Sequence, residues 1–497
     1  MNHPKTSITL LMLVLLTFTL MMGASTSIIL IAIDFISKAD HFGSPTRAAY
    51  SINLMMIFFL AVLPGHLIGQ KIETRNAIIL AAIFSTLGLI LLSLANMPAL
   101  GTAIFVLGLS TLYINYLNLT VQLLRGHERY LDLGLFAFFY CAIIGLLLGV
   151  VLQKTLSHWL NNANTYLLSG ILTVFALLIF IFLNHFFLSP EPSAPEGQHT
   201  KRPLKHASQT AWVALVSIAL IALFYHIPTL TRLFVSGLIL CIAIHRWSAM
   251  RRSDYAVRET VYFCIFLVSL AFWTLSGIEN FLFNNIRSEK FWLYTFTQWY
   301  SLNTLKIAFD SAVLNFLAGF SVPLIYWFNQ RSKRPLSYGS QMSLACLVLG
   351  LGQISLWLPT LLNASNTQPF TYLLPFHWII FYELSYSTAS IWMLCSVYSL
   401  CSRLFIQQSM KFIFVELTAL IALVWLLIGF ISNLISWEVS QVSLNSWRAI
   451  YPGISGSLGL CMLLLAIGLF ILSHYLQRRY RYDTEFKQIF WQTHNSL

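Results

Sequence analysis

Charge is what this sequence has least of: 9% of its 497 residues are Asp, Glu, Lys or Arg, while 58% are hydrophobic and the mean hydropathy is +0.74. A soluble chain of this length could not cover its surface with so few polar groups, so a soluble globule is excluded. Cysteine is sparse and unpatterned. Cys141, Cys241, Cys264, Cys346, Cys395, Cys401 and Cys461 all fall in or beside apolar runs, without CxxC or Cys/His ligand spacing, which argues against structural disulfides and a zinc site. The GxxxxGK[ST] phosphate loop is missing, which argues against ATP hydrolysis on this chain. No nucleophile stands with a placed base, so neither enzyme chemistry nor a cofactor is expected. The first apolar run lacks a small-residue cleavage site and is longer than a typical signal peptide, so it is expected to stay as a helix.

What the sequence has in abundance is long apolar runs. A bilayer core of about 30 Å takes about 20 apolar residues per helix. Fourteen runs approach that length, near 7–33, 50–70, 76–95, 98–122, 132–153, 166–187, 210–225, 229–246, 259–285, 292–328, 342–360, 372–401, 411–435 and 450–478. The seventh and eighth are the shortest. With both termini inside, 21 of the 29 Lys and Arg residues fall in cytoplasmic loops, seven fall outside, and Lys306 lies within the membrane. That asymmetry follows the positive-inside rule. It accounts for the net charge of +12 without a nucleic-acid partner. The expectation is an all-α polytopic protein of a bacterial inner membrane, with both ends cytoplasmic and the lipid bilayer as its surroundings.

One segment interrupts the pattern. "LSPEPSAPEGQHTKRPLKHASQ", residues 188–209, is rich in Pro, Ser and basic side chains and has no apolar period, so it reads as a cytoplasmic linker. It divides the chain into a six-helix bundle at 1–187, the linker, an inserted helix pair at 210–246, a second six-helix bundle at 259–480 and a cytoplasmic tail at 481–497. Two six-helix halves are the plan of major facilitator transporters. The tail, with "RRYRYDTEF" and "WQTHNSL", is basic and aromatic, as suits an anchor on anionic headgroups.

Four stretches add a closer likeness. "FHWIIFYELSYSTASIWM" (376–393) carries Glu383, Leu384 and Ser387, "FTQWYSLNTL" (296–305) carries Ser301, Leu302 and Asn303, and "SLAFWTLSG" (269–277) and "LGLFAFFYCAIIG" (133–145) carry Phe-Trp and Phe-Tyr pairs. In order and spacing these resemble the tenth, eighth, seventh and fifth core helices of the proton-coupled oligopeptide transporter family. The resemblance implies a major facilitator fold with an extra helix pair between the halves, proton-coupled alternating access and a peptide-like small-molecule cargo. At Glu383 it implies a role in the cavity's gate and in holding a substrate amine.

The departures are as specific. The family's first helix carries a Glu-x-x-Glu-Arg cluster, and here Val14, Thr17 and Phe18 align with it. A Lys of the fourth helix aligns near Tyr113. In the loop "GHLIGQKIETR", Gly69 stands where the family has Asp. The chain also adds two charges, Lys306 and Asp310, inside the run 292–328. A charge at mid-bilayer costs about 2.5–3.5 kcal/mol on insertion scales, so such residues face the bundle interior and find partners. At i and i+4 the two share one helix face. Either they form a switchable pair for coupling or substrate, or a static one that holds the helix.

Other candidates are fewer. Glu279 in "SGIENFLFNN" lies two residues beyond a position that is often acidic in the family, so a coupling role competes with a structural one. Asn115, Asn118 and Gln122 recur at i, i+3 and i+7 on one face of the fourth helix. They could bind a peptide-like backbone or act as polar glue between helices. Glu416, His66, His226 and His377 sit near span ends, where hydration is expected, and Asp34 could cap or gate the outer side. The functional set is therefore Lys306, Asp310, Glu383, Asn303, Ser387, Glu279, Tyr113, Asn115 and Asn118. The expected activity is proton-coupled transport of short peptides or amino-acid-derived compounds by a chain that acts as a monomer. Two alternatives are a proton-antiport exporter of another metabolite, and a transport-inactive receptor or scaffold.

Overall fold

The computed structural model describes residues 9–25, 44–94, 98–124, 130–156, 162–186, 203–252, 256–288, 316–331, 336–362, 376–404, 410–440 and 444–479. Among them the regular structure is helical. The helices are α1 (Thr9–Ser25), α2 (Ser44–Ile72), α3 (Thr74–Ser93), α4 (Pro98–Leu123), α5 (Leu131–Leu156), α6 (Asn162–Phe186), α7 (Pro203–His226), α8 (Pro228–Arg252), α9 (Ala256–Ser288), α10 (Ser321–Arg331), α11 (Tyr338–Leu362), α12 (Phe376–Leu404), α13 (Met410–Ser440) and α14 (Leu444–Arg479). Eleven of the described helices are long and apolar enough to cross a membrane, and the chain is a multi-pass membrane protein.

The seventh and eighth runs, short by composition, belong to full-length helices. Pro203 and Pro228 each open a helix, at a position where the missing N–H is no loss. Their spans, Ala207–His226 and Pro228–Ser248, extend the apolar runs with polar residues at both ends. The helix α7 thus begins inside the stretch that composition reads as linker. By contrast α12 is not among the eleven, because Glu383 and a series of Ser residues dilute its apolar content.

The chain forms two compact units: residues 1–242 with 411–423, and residues 243–410 with 424–497. In the first, α3 packs on α4 through glycines. A Cβ on Gly88 would lie 2.5 Å from the Phe105 backbone nitrogen, and one on Gly108 would lie 2.5 Å from that of Ser85. Small residues of this kind let helix backbones approach in a membrane, where burial from lipid supplies no hydrophobic drive. The inserted helix α7 packs against α2 and α4 of the same unit. Asn53 donates to the Phe224 carbonyl at 3.2 Å and Lys71 to Gln209 at 3.1 Å.

In the second unit α11 and α14 form the matching seam. Gly350 approaches the Gly459 carbonyl, and Gly456 lies under the Trp357 ring, where a Cβ would meet ring carbon at 2.5 Å. At the start of α9, Glu259 accepts from Nη1 of Arg246 at 3.1 and 3.0 Å, and the guanidinium lies 4.6 Å from the centroid of Tyr262.

Candidate functional site

In the first unit, the face of α1 that aligns with the family's charged cluster is an aromatic core. Val14, Thr17 and Phe18 are each fully buried. Phe18 stacks on Phe138 of α5, with centroids 4.7 Å apart, and tilts against Tyr116 of α4 at 5.0 Å. The Thr17 hydroxyl donates to the Val14 carbonyl at 2.7 Å and accepts from the Tyr116 hydroxyl at 2.8 Å. Tyr113 joins the same aromatic set, edge-on to Phe58 and 5.5 Å from Phe138. Packing of rings has taken the space that ion pairs would fill.

The polar stripe of α4 is largely committed to neighbouring helices. The Asn115 amide donates to the Gly65 carbonyl of α2 at 3.2 Å and to the Thr111 carbonyl at 2.8 Å. A side chain at Gly69 would run into that amide, so the glycine at the position aligned with the family's Asp is what gives Asn115 its room. Gln122 donates to Thr74 of α3 at 3.3 Å. For Asn115 and Gln122 the glue reading therefore fits the geometry, while Asn118 is buried on the same helix.

Two residues expected to be hydrated are instead enclosed. His66 is 2% exposed and shares a hydrogen with Gln70 at 2.9 Å, and Glu416 is 1% exposed in α13. Proximity to a span end was a poor guide because the ends of these helices are themselves packed. His226 is exposed, as expected.

Among the described residues the second unit holds three buried carboxyls, Glu259, Glu279 and Glu383, while Asp132 and Glu416 are buried in the first. One apolar cluster joins Ile278 of α9, Leu356 of α11, Tyr382 of α12, and Val424 and Ile428 of α13. Glu279 follows Ile278 and Glu383 follows Tyr382, so the cluster brings together the helices that carry both. Each is buried, at 0% and 2% exposure. Ser387, one turn beyond Glu383, is fully buried with no hydrogen-bond partner for its hydroxyl among the described residues. Next to it Thr388 accepts from Ser321 of α10 at 3.2 Å.

Glu279 is held from a helix far away in sequence. The Ser455 hydroxyl of α14 lies 2.8 Å from Glu279 Oε1 and 3.0 Å from the Gln353 carbonyl of α11. Gln353 is itself fully buried, and neither end of its side-chain amide has a partner among the described residues. Sequence reasoning missed Ser455 and Gln353. Gln353 was discoverable as the lone amide in the apolar stretch "LGLGQISLW", whereas Ser455 in "YPGISGSLG" looks like ordinary small-residue packing. Lys306, Asp310, Asn303 and Asp34 lie outside the described residues. Among the described residues, no group of three His, Cys, Asp or Glu side chains could hold a metal ion.

No family model and no curated protein matches the sequence. Solved structures do. A mutant of the peptide transporter POT bound to alafosfalin is 19% identical, with a TM-score of 0.66 over 94% of this chain and 95% of that one. Tetrameric PepTSo2 gives 14% identity and a TM-score of 0.68 over 94% and 98%. A POT family transporter in complex with 5-aminolevulinic acid gives 17% and 0.67 over 95% and 97%. The fold is therefore that of the major facilitator transporters. Within them, it is the fold of the POT peptide transporters, matched along nearly the whole length of both chains.

Proposed function

We propose that this protein is a secondary active transporter that moves a small polar solute by proton-coupled alternating access, with short peptides or amino-acid-derived compounds as cargo. The observation that carries this reading is the pairing of an end-to-end POT fold with carboxyls buried within the long helices α9 and α12, Glu279 and Glu383. Buried intramembrane carboxyls are costly, and in transporters they mark proton relays and substrate paths. The ligands named for the neighbouring structures, alafosfalin and 5-aminolevulinic acid, are small and polar. They define the class from which cargo is to be screened.

In this reading Glu383 and Ser387 of α12 contact cargo, Glu279 carries the coupling proton, and Lys306 with Asp310 forms the added ion pair, near Asn303. The proton gradient supplies the energy, and no cofactor takes part. The protein works as a monomer in a bacterial inner membrane, with both termini cytoplasmic.

The test is uptake of labelled di- and tripeptides into liposomes that hold the purified protein, with and without an inward proton gradient. Glu383→Gln and Asp310→Asn are measured beside the wild type. Gradient-dependent uptake that falls at least tenfold in Glu383→Gln supports the reading. Peptide binding with no flux would assign a receptor instead. Solute that accumulates in cells lacking the protein, with no uptake in liposomes, would assign an exporter.

A further inference from the structure

Four helices of the second unit leave a gap between them at one end. Helices α9 and α11 begin at this end, at Ala256 and Tyr338, and α12 and α14 finish there, at Leu404 and Arg479. Val261, Cys264 and Val268 of α9, Met342 of α11, Leu400 of α12 and Leu472 of α14 wall a cavity of about 30 Å³, within about 380 Å³ of unfilled space that includes its open mouth. That is more than the 10–15 Å³ or so that admits a water, yet the wall offers water no partner. Ser473 also lines the gap, but its hydroxyl is engaged by that of Ser337 at 3.2 Å and by the Gln477 amide at 3.4 Å. A cavity of this kind stays dry and takes apolar groups.

Its surroundings say which apolar group. Val261, Met342 and Leu400 are buried, whereas Cys264 and Leu472 are half-exposed, so the gap opens between α9 and α14. The wall lies in the terminal turns of the candidate spans Glu259–Glu279, Tyr338–Leu358 and Gly453–Arg478, where acyl chains are the solvent. Cations gather at the same end. Arg478 is exposed two residues beyond Leu476 of the wall, and Arg258 stands one turn before Val261. Arg403, one turn beyond Leu400, holds its guanidinium 5.5 Å from the centroid of Tyr338, beside Gly339 of the wall. Among the described residues the acid at this end, Glu259, is already held by Arg246.

We propose that this gap is a specific site for an anionic phospholipid, with the end of one acyl chain between α9 and α14 and the headgroup phosphate among Arg258, Arg403 and Arg478. The two parts of the site match the two parts of the lipid. On the positive-inside pattern this end faces the cytoplasmic leaflet, which carries the anionic lipids. The bound chain braces α9 against α14, because side chains that line a void lack contacts on one side. The inference rests on the chain being a membrane protein and is independent of what it transports.

The experiment is native mass spectrometry of the full-length protein, stripped of lipid in detergent and titrated with phosphatidylglycerol or with phosphatidylethanolamine of the same chains. Wild type is compared with Cys264→Phe, Leu472→Phe, Arg478→Gln and Leu464→Phe, and thermal melts show that each is folded. The two gap-filling variants act from opposite walls, so either one reports if the other fails to fold. Wild type is expected to hold one phosphatidylglycerol about fivefold or more tighter than phosphatidylethanolamine. Filling the gap weakens both lipids about tenfold, as for two methylenes kept from burial. Arg478→Gln weakens phosphatidylglycerol alone, by about fivefold, the share of one arginine near a headgroup. Leu464→Phe, on the exposed face of α14, changes neither. Equal binding of the two lipids by wild type overturns the inference, as does wild-type binding by a filled gap. An equal loss in Leu464→Phe also overturns it, since the lipid is then merely part of the surrounding annulus.

Discussion

The packing of the first unit turns on one glycine, and replacing it should separate close backbone contact from ordinary helix propensity. A methyl on Gly88 would lie 2.5 Å from the backbone nitrogen of Phe105 and 2.6 Å from its Cβ. Ordinary carbon contacts lie about 1 Å farther out, and the obstacle is main chain, which cannot rotate away. The helices α3 and α4 must therefore separate. Overpacking of this kind costs about 1–3 kcal/mol. Gly237 in α8 is the internal control, because it is exposed and a methyl there meets nothing within 4 Å. In a helix interior, Gly→Ala at such a site gains about 0.5–1 kcal/mol. For a unit of this size, 1 kcal/mol moves the melting point by about 2–4 °C. Gly88→Ala should therefore melt about 2–12 °C below the wild type in detergent, and Gly237→Ala about 1–4 °C above it, read by intrinsic fluorescence. Equal melting points, or a rise in Gly88→Ala, would refute the close approach of α3 and α4.

Two further substitutions test local features. Glu259→Gln removes the partner of Arg246 where the two side chains are 10% and 11% exposed, and breaking a buried pair costs about 3 kcal/mol. The melting point should fall by about 6–12 °C while Glu259→Asp loses less; unchanged melting would make the pair incidental. Glu73 joins α2 to α3 at φ 70° and ψ 152°, a region that suits glycine alone, and makes no side-chain cap. Glu73→Gly should raise stability by about 1 kcal/mol, because such strain costs about 1–3 kcal/mol. A fall in the chemical-denaturation midpoint would mean that the carboxylate holds the turn.

The helices were legible because a bilayer demands their length and apolarity, and the four motif stretches carried the fold beyond that. Individual sites were harder. Asn115 and Gln122 announce a polar stripe by spacing, yet spacing cannot say whether a stripe faces a cavity or a neighbour. The glycines at 65 and 69 let α2 come within hydrogen-bond reach of Asn115. His66 and Glu416 went the same way, since distance from a span end says nothing of what packs there. The partner of Glu279 was the least legible, because it comes from a serine 176 positions away on a helix rich in small residues.

Buried ionisable groups occur in both units: His66, Asp132 and Glu416 in the first, Glu259, Glu279 and Glu383 in the second. In α1 to α6 the Asp, Glu, Lys and Arg residues stand in terminal turns, at Arg47, Lys71, Arg75, Asp132 and Lys154, and His66 lies inside α2. The face of α1 aligned with the family's charges is closed by Phe18, Phe138 and Tyr116. Glu279 and Glu383 both lie in the second unit, on helices joined by one apolar cluster. A carboxyl buried in an apolar cluster needs hydrogen-bond partners. Ser455 supplies one to Glu279 from within the same unit, its hydroxyl also reaching the Gln353 carbonyl.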